Sequence, residues 1–125
     1  MNSTLLVMAG GAIGAALRYH LGRLLTHMFG ASFPYGTLTA NILGGLAMGL
    51  LVGWLARFDG PAEPWRLLMA VGLLGGFTTF SAFSLEMANM IQRGQWGVAI
   101  GYSLISVVGA LFALFLGLFV IRQLA

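Results

Sequence analysis

Apolar residues fill four long stretches of this chain, and short polar or turn-forming segments separate them. A membrane hydrocarbon core about 30 Å thick is spanned by roughly 20 mostly apolar residues in a helix. The pattern therefore predicts four transmembrane helices, at about residues 3–26, 37–56, 66–92 and 96–121. The connections are too short for a further domain, so residues 1–125 are expected to form a single transmembrane domain.

The composition of the chain also indicates a membrane protein. Of the 125 residues, 59% are apolar and 7% are charged, whereas about a quarter of the residues of a soluble domain are charged. Six arginines and three acids cannot supply the polar surface that a soluble domain of this size needs. The predicted fold class is an all-α membrane protein. Because cysteine is absent, disulfides and thiolate metal sites are excluded.

The arginines show almost no preference for one side of the membrane. With four spans, Arg57, Arg66 and Arg122 fall on one side, and Arg23 and Arg93 fall on the other. Such a chain either has weak topology signals or inserts in both orientations and pairs with an inverted copy of itself. The second interpretation gains weight because four helices are too few to enclose a solute path, so a transporter this small would have to dimerise.

Nineteen glycines are a second unusual feature of the composition. Gly45, Gly49 and Gly53 lie on one stripe of the second predicted helix, where missing side chains allow another helix to approach closely. Similar spacings recur in the first and fourth predicted helices, at Gly10, Gly14, Gly97, Gly101, Gly109 and Gly117. We interpret these stripes as helix-packing surfaces without chemistry.

The glycines of the third stretch form a different pattern. Gly72, Gly75 and Gly76 lead into residues 77–84, Phe-Thr-Thr-Phe-Ser-Ala-Phe-Ser, which places poor helix formers in the middle of a span. The pattern predicts a break in the third helix. Unwound backbone at membrane depth is tolerated only where it is buried in protein or lines a wet cavity. Its free carbonyls could coordinate a small cation, and the helix that begins beyond the break could attract an anion.

Polar and aromatic side chains inside the spans leave two interpretations open. The Asn41 amide either forms an interhelical hydrogen bond or donates to a passing anion. Phe77, Phe80 and Phe83 are either core residues or rings whose positive edges face an anion.

The hydroxyl groups of the fourth predicted helix are equally open to interpretation. Ser103 and Ser106, together with Tyr102, either form a short hydroxyl row or bond back to carbonyls four residues earlier. Of the charged residues, Arg18 is expected to reach the membrane interface or pair with another group. Glu86 is expected to lie toward a mouth of the protein, so both are candidates for a vestibule or a structural role.

Three blocks of residues resemble the signature of the Fluc (CrcB-type) fluoride channels. They are Gly10-Gly11-x-x-Gly14-Ala15-x-x-Arg18, Gly36-Thr37-Leu38-x-x-Asn41, and residues 72–86 as GxxGGxTTFSxFSxE. The blocks occur in order over nearly the whole chain. The resemblance implies four transmembrane helices with a broken third helix, assembled as an antiparallel dual-topology homodimer in the inner membrane of the cell. It also implies passive, fluoride-selective efflux from the cytoplasm, which protects the cell from fluoride.

The resemblance further implies roles for individual residues. Phe80 and Phe83 would be the ring residues of the fluoride pathway, and Asn41 would be a side-chain donor along it. Gly75 and Thr78 would donate backbone carbonyls from both subunits to a central Na⁺, which is structural and not transported. The pathway would also include Ser81, Tyr102 and Ser106.

The fourth helix departs from the family pattern one and two turns beyond Ser106. Members of the family often have Ser and Thr there, whereas this chain has Ala110 and Leu114. The departure bears on how far the hydroxyl row extends and on the conduction rate, and it is also compatible with a different partner subunit.

Two other functional classes stay open at this point. Small proton-coupled multidrug exporters are also four-span dual-topology dimers, but they are expected to hold a carboxylate in the first span, which has no acid here. A non-transporting membrane subunit would use Asn41 and the Thr/Ser/Phe cluster for packing alone. An enzyme is not expected, because no two groups are spaced for nucleophilic or acid–base chemistry.

Overall fold

The structure is a computed structural model that describes residues 2–124, and all regular structure in that range is helical. Three long α-helices and one composite helical stretch, the third along the chain, are joined by short connections. The elements in chain order are α1 (Ser3–Phe29), α2 (Tyr35–Leu55), α3 (Ala62–Trp65), a π-helix (Arg66–Leu74), α4 (Gly75–Phe77), α5 (Ser81–Gln92) and α6 (Trp96–Gln123).

Four helical stretches are long and apolar enough to cross a membrane, which confirms the four predicted helices. They are Ser3–Phe29, Tyr35–Leu55, Ala62–Gln92 and Trp96–Gln123. The third begins four residues earlier than predicted, because Pro64 lies in the first helical turn, where its missing N–H has no helical acceptor to lose. The first extends to Phe29 and ends at Gly30, whose φ of 87° favours glycine.

Helix α1 packs directly on the backbone of the composite third stretch. A methyl group placed on Gly10 would meet the backbone of Leu68 and Gly72, and one placed on Gly14 would meet the backbone of Leu73 and Phe77. The contacts advance in the same direction along both segments, so α1 and the third stretch run parallel. The glycines of α1 therefore serve close packing, as predicted.

Helix α2 packs on α6 in the same manner. A methyl group on Gly45 would meet the backbone of Ala110, and one on Gly49 would meet the backbone of Leu114. These two helices also run parallel, since the contacts advance together. The prediction that Gly45, Gly49 and Gly53 form a packing stripe is confirmed on α2.

The first turns of α6 show no such packing within one chain. A methyl group at Gly97 or Gly101 would have no neighbour within 4 Å among the described residues. This end of α6 packs instead through another face, where Ala99 and Tyr102 are buried against Met90 of α5.

The third helical stretch is interrupted between Phe77 and Ser81. Thr78 has an extended conformation, with φ −87° and ψ 160°, and residues 78–80 are not helical. The Thr78 N–H and hydroxyl both donate to the Leu74 carbonyl, at 3.0 and 2.9 Å. On the other side, the Thr79 hydroxyl accepts a hydrogen bond from the Ala82 N–H at 3.1 Å, which satisfies one free donor of α5. The location of this segment at mid-membrane depth stays a prediction.

Candidate functional site

A groove of about 560 Å³ lies beside the non-helical residues. Six of the predicted site residues line it: Asn41, Gly75, Thr78, Phe80, Phe83 and Ser106. Among residues 2–124, no charged side chain lines this groove. Its polar groups are an amide, hydroxyls and backbone carbonyls, so the groove can bind an ion through dipoles without a full opposite charge.

The Asn41 side chain holds the non-helical segment in place. Its Oδ1 accepts a hydrogen bond from the Thr79 N–H at 2.9 Å, and its Nδ2 donates to the Thr79 carbonyl at 3.1 Å. This pair supplies the backbone of Thr79 with the partners that a continuous helix would have supplied. The packing interpretation of Asn41 therefore holds for one of its two N–H groups, and the amide has a second N–H to offer at the wall of the groove.

The interruption also releases backbone carbonyls from helical hydrogen bonding. The Gly76 carbonyl accepts a hydrogen bond from Nε of Arg18 at 3.3 Å, and the Thr79 carbonyl is bonded to Asn41. The carbonyls of Gly75 and Thr78 accept no hydrogen bond from any residue in the described range. The Phe77 carbonyl likewise accepts none, so the interruption leaves three free carbonyls, and two of them belong to the residues that were predicted to bind a cation.

The phenylalanine rings form a chain that leads from the groove surface into the helix bundle. Phe80 is 77% exposed, and its ring centroid lies 5.6 Å from that of Phe83. The Phe83 ring lies 5.1 Å from the ring of Tyr102, which is buried. Phe77 is not among the residues that line the groove, so the three phenylalanines have two different environments.

The Ser106 hydroxyl is buried at the wall of the groove. Ser106 is 5% exposed, and its Oγ has no hydrogen-bond partner in the described part of the chain. A bond back to the carbonyl four residues earlier, which was one open interpretation, is therefore wrong for Ser106. The neighbouring Ser103 does bond back, to the Ile100 carbonyl at 2.8 Å. A buried hydroxyl without a partner is costly, so Ser106 has an unfilled donor where a ligand could accept.

Three hydrogen-bonded side chains lie one helical turn beyond the groove. The Glu86 carboxylate accepts from the Thr37 hydroxyl at 2.9 Å and from the Tyr102 hydroxyl at 3.0 Å. This cluster joins α2, α5 and α6. Thr37 was part of the quoted motif, but no role was predicted for it; its position one turn before Asn41 is the signal that could have found it.

A second cavity, a cleft of about 600 Å³, opens between the later part of α1 and the start of α2. Its basic and acidic lining residues are Arg18, Arg23, His27 and Glu86. The Arg23 guanidinium lies 5.9 Å from the centre of the Tyr19 ring. Glu86 and Thr37 line this cleft as well as belonging to the hydrogen-bonded cluster, so the cluster separates the cleft from the groove.

Two of the predicted pathway residues are not among those that line the groove. Ser81 is exposed, with its Oγ 3.4 Å from the Thr79 hydroxyl. Tyr102 is 1% exposed and lies behind Phe83, where it bonds to Glu86. Arg18 and Glu86, the two candidates for a vestibule or a structural role, both line the cleft.

Four apolar helices, packed through glycines beside an uncharged polar groove, define a small multi-pass membrane protein. Residues 5–118 match the family described as "CrcB-like protein, Camphor Resistance (CrcB)". The chain belongs to this CrcB family.

Named relatives in three bacteria are similar to the chain over their full length. A protein of Novosphingobium aromaticivorans is 54% identical over 127 residues, covering 100% of both chains. One of Phenylobacterium zucineum is 56% identical over 124 residues, and one of Caulobacter vibrioides is 52% identical over 124 residues, each covering 98% of both chains. Each of the three is named "Fluoride-specific ion channel FluC".

Proposed function

We propose that this protein is a fluoride-selective channel that lets fluoride leave the cytoplasm passively. The observation that carries the proposal is the buried Ser106 hydroxyl, which has no partner in the described chain and faces an uncharged groove next to Asn41. Fluoride is small and strongly hydrated, so a dry path must replace its water with hydrogen-bond donors. The names of the full-length relatives support the same function.

In this proposal the anion enters through the cleft and passes the cluster around Glu86, which separates the cleft from the groove, to reach the groove. The arginines of the cleft attract anions to the entrance. Beyond it lie the hydroxyls of Thr37 and Tyr102, and one turn further, about 5.4 Å along the helices, lie Asn41, Phe83 and Ser106. The ring edges carry partial positive charge. They hold the anion weakly enough to release it, whereas an arginine in the groove would trap it.

A second, inverted copy of the chain closes the groove in this proposal. The groove is open along one face of the chain, and the highly exposed Phe80 ring lies at its edge. Arginines are balanced between the two ends of the helices, which supports insertion in both orientations. The functional unit is accordingly an antiparallel dual-topology homodimer in the inner membrane, with the third helix of each copy broken at membrane depth.

The carbonyls of Gly75 and Thr78 suit the structural Na⁺ that the family resemblance implies. Sodium is a hard cation that prefers oxygen ligands. Gly75 and Thr78 line the groove, and their carbonyls have no hydrogen-bond donor from the described chain. Two inverted copies would place four such oxygens around one ion. Bound Na⁺ would join the two non-helical segments and add a field that favours anions nearby.

Fluoride flux from liposomes tests the proposed function. Purified protein is reconstituted in vesicles loaded with equal concentrations of fluoride and chloride, and the efflux of each anion is followed with ion-selective electrodes. We expect rapid fluoride efflux with chloride retained, in Na⁺-containing buffer. Equal efflux of both anions, or none above empty vesicles, would contradict the proposal.

Thiol labelling tests dual topology, because the chain has no native cysteine. A single cysteine at Asn2 is labelled in intact spheroplasts with a membrane-impermeant maleimide. We expect about half of the copies to react, and all copies after permeabilisation. Labelling of all copies, or of none, before permeabilisation would show a single orientation.

A further inference from the structure

Arg18 contacts the non-helical segment through one particular atom. Arg18 lies on α1, and its Nε donates a hydrogen bond of 3.3 Å to the carbonyl of Gly76 in α4. In a continuous helix the N–H of Phe80 would bond to this carbonyl, but Phe80 lies outside the helix. Arg18 therefore supplies the partner that the interruption removed.

The Gly76 carbonyl belongs to the peptide next to that of Gly75. Glycine restricts its own backbone less than any other residue, so the orientation of the Gly75 carbonyl depends on what holds the two glycines. The backbone of Gly76 lies against Gly11 of α1, and Arg18 holds its carbonyl. Asn41 holds Thr79 at the other end of the segment. The free carbonyls of Gly75 and Thr78 thus lie within a segment that is fixed from both sides.

We infer that Arg18 is a positioning residue for the carbonyl cation site, and that it acts through its hydrogen bond to Gly76 and not through its charge. The inference rests on the proposed function, in which Gly75 and Thr78 bind Na⁺. It assigns to Arg18 a role apart from that of Arg23, which lines the same cleft and lies over the Tyr19 ring.

Three substitutions at this position separate the hydrogen bond from the charge. In Arg18→Gln, Nε2 is attached to Cδ, as Nε is in arginine, so the donor remains and the charge is lost. In Arg18→Lys a methylene occupies the place of Nε, so the charge remains and the donor at that place is lost. Arg18→Met loses both, and Arg23→Gln serves as the matched control for loss of charge in the cleft.

The readout is stabilisation of the detergent-solubilised protein by Na⁺. Unfolding midpoints are measured in NaCl and in choline chloride at equal ionic strength, over a series of Na⁺ concentrations. A ligand that binds only the folded state raises the midpoint according to its concentration relative to Kd. The apparent Kd for Na⁺ follows from the series.

We expect the parent protein, Arg18→Gln and Arg23→Gln to show the same Na⁺ stabilisation. Arg18→Lys and Arg18→Met are expected to bind Na⁺ about tenfold more weakly, as the loss of one hydrogen bond implies. Retention in Arg18→Lys with loss in Arg18→Gln would overturn the inference in favour of a charge effect. Equal stabilisation of all variants would overturn it as well.

Failure of the wider proposal is distinguishable from failure of this inference. A parent protein that Na⁺ does not stabilise would overturn both the cation site and the role of Arg18, whether or not it conducts. Absence of fluoride efflux from vesicles that contain the parent would overturn the channel function, whereas the Na⁺ series would still decide the role of Arg18.

Discussion

The groove and the cleft are neighbouring cavities of similar size with opposite chemistry. The groove has a volume of about 560 Å³ and the cleft about 600 Å³. The cleft is lined by Arg18, Arg23, His27 and Glu86, whereas no charged side chain of the described range lines the groove. The hydrogen bonds from Thr37 and Tyr102 to Glu86 form the boundary between them.

Because of this difference, the two cavities are expected to act differently on an anion that passes through both. Charges act over several ångströms and raise the local anion concentration at an entrance. Inside a narrow path the same charges would bind an anion too tightly for it to leave. Substitutions in the groove should therefore change conduction strongly and independently of salt, and substitutions of cleft charges should change it weakly and in a salt-dependent manner.

Replacement of the groove ring Phe83 should have the largest effect. Phe83→Ile removes the positive ring edge while keeping an apolar side chain. We expect fluoride flux to fall about 100-fold, which corresponds to about 2.7 kcal/mol in the barrier. Phe77→Ile is the matched control, because Phe77 does not line the groove, and it should lower flux much less. Equal losses in the two variants, measured in liposomes with intact dimers, would assign both rings to packing.

Loss of the groove hydroxyl should have the next largest effect. We expect Ser106→Ala to lower fluoride flux about tenfold, since a hydrogen bond to a charged group is lost. The variant should be at least as stable as the parent, because it removes a buried hydroxyl that has no partner in the described chain. Ser103→Ala is the control, because that hydroxyl bonds to its own helix. A drop in unfolding temperature with unchanged flux would make Ser106 a structural residue.

Loss of a cleft charge should have the smallest effect. Arg23→Gln is expected to lower fluoride flux about threefold at low ionic strength and to have no effect at 1 M salt, where the screening length is about 3 Å. Arg93→Gln removes a charge outside the cleft and should leave the flux unchanged at both salt concentrations. A salt-independent loss in Arg23→Gln would place that residue in the path itself.

Much of the fold could be predicted from periodicity and composition. The four apolar helices follow from the length of the hydrophobic stretches, and the α2 packing stripe follows from the spacing of Gly45 and Gly49. Spacing alone does not tell which face of α6 meets a neighbour, and Gly97 and Gly101 have no neighbour within 4 Å among the described residues. The π-helix at Arg66–Leu74 has no local sequence signal that we can identify, and it packs on the backbone of α1 at Gly10 and Gly14.

The site could be predicted as a set of residues but not as a set of contacts. The sequence motifs indicated Asn41, Phe83 and Ser106, which line one groove. The partners of Glu86 come from two other helices and are 49 and 16 residues away, so no local pattern joins them. The same holds for the hydrogen bond from Arg18 to Gly76, which spans 58 residues of sequence.

The central claim, that fluoride passes along the groove, can be tested with silver ions on a single cysteine. The chain has no cysteine of its own. Ala110 lines the groove one turn beyond Ser106, and Ser103 lies on the same helix without lining it. We predict that Ag⁺ stops fluoride efflux from vesicles with Ala110→Cys and leaves the Ser103→Cys variant and the parent unaffected. Undiminished efflux from Ala110→Cys after complete reaction with Ag⁺ would contradict a path through this groove.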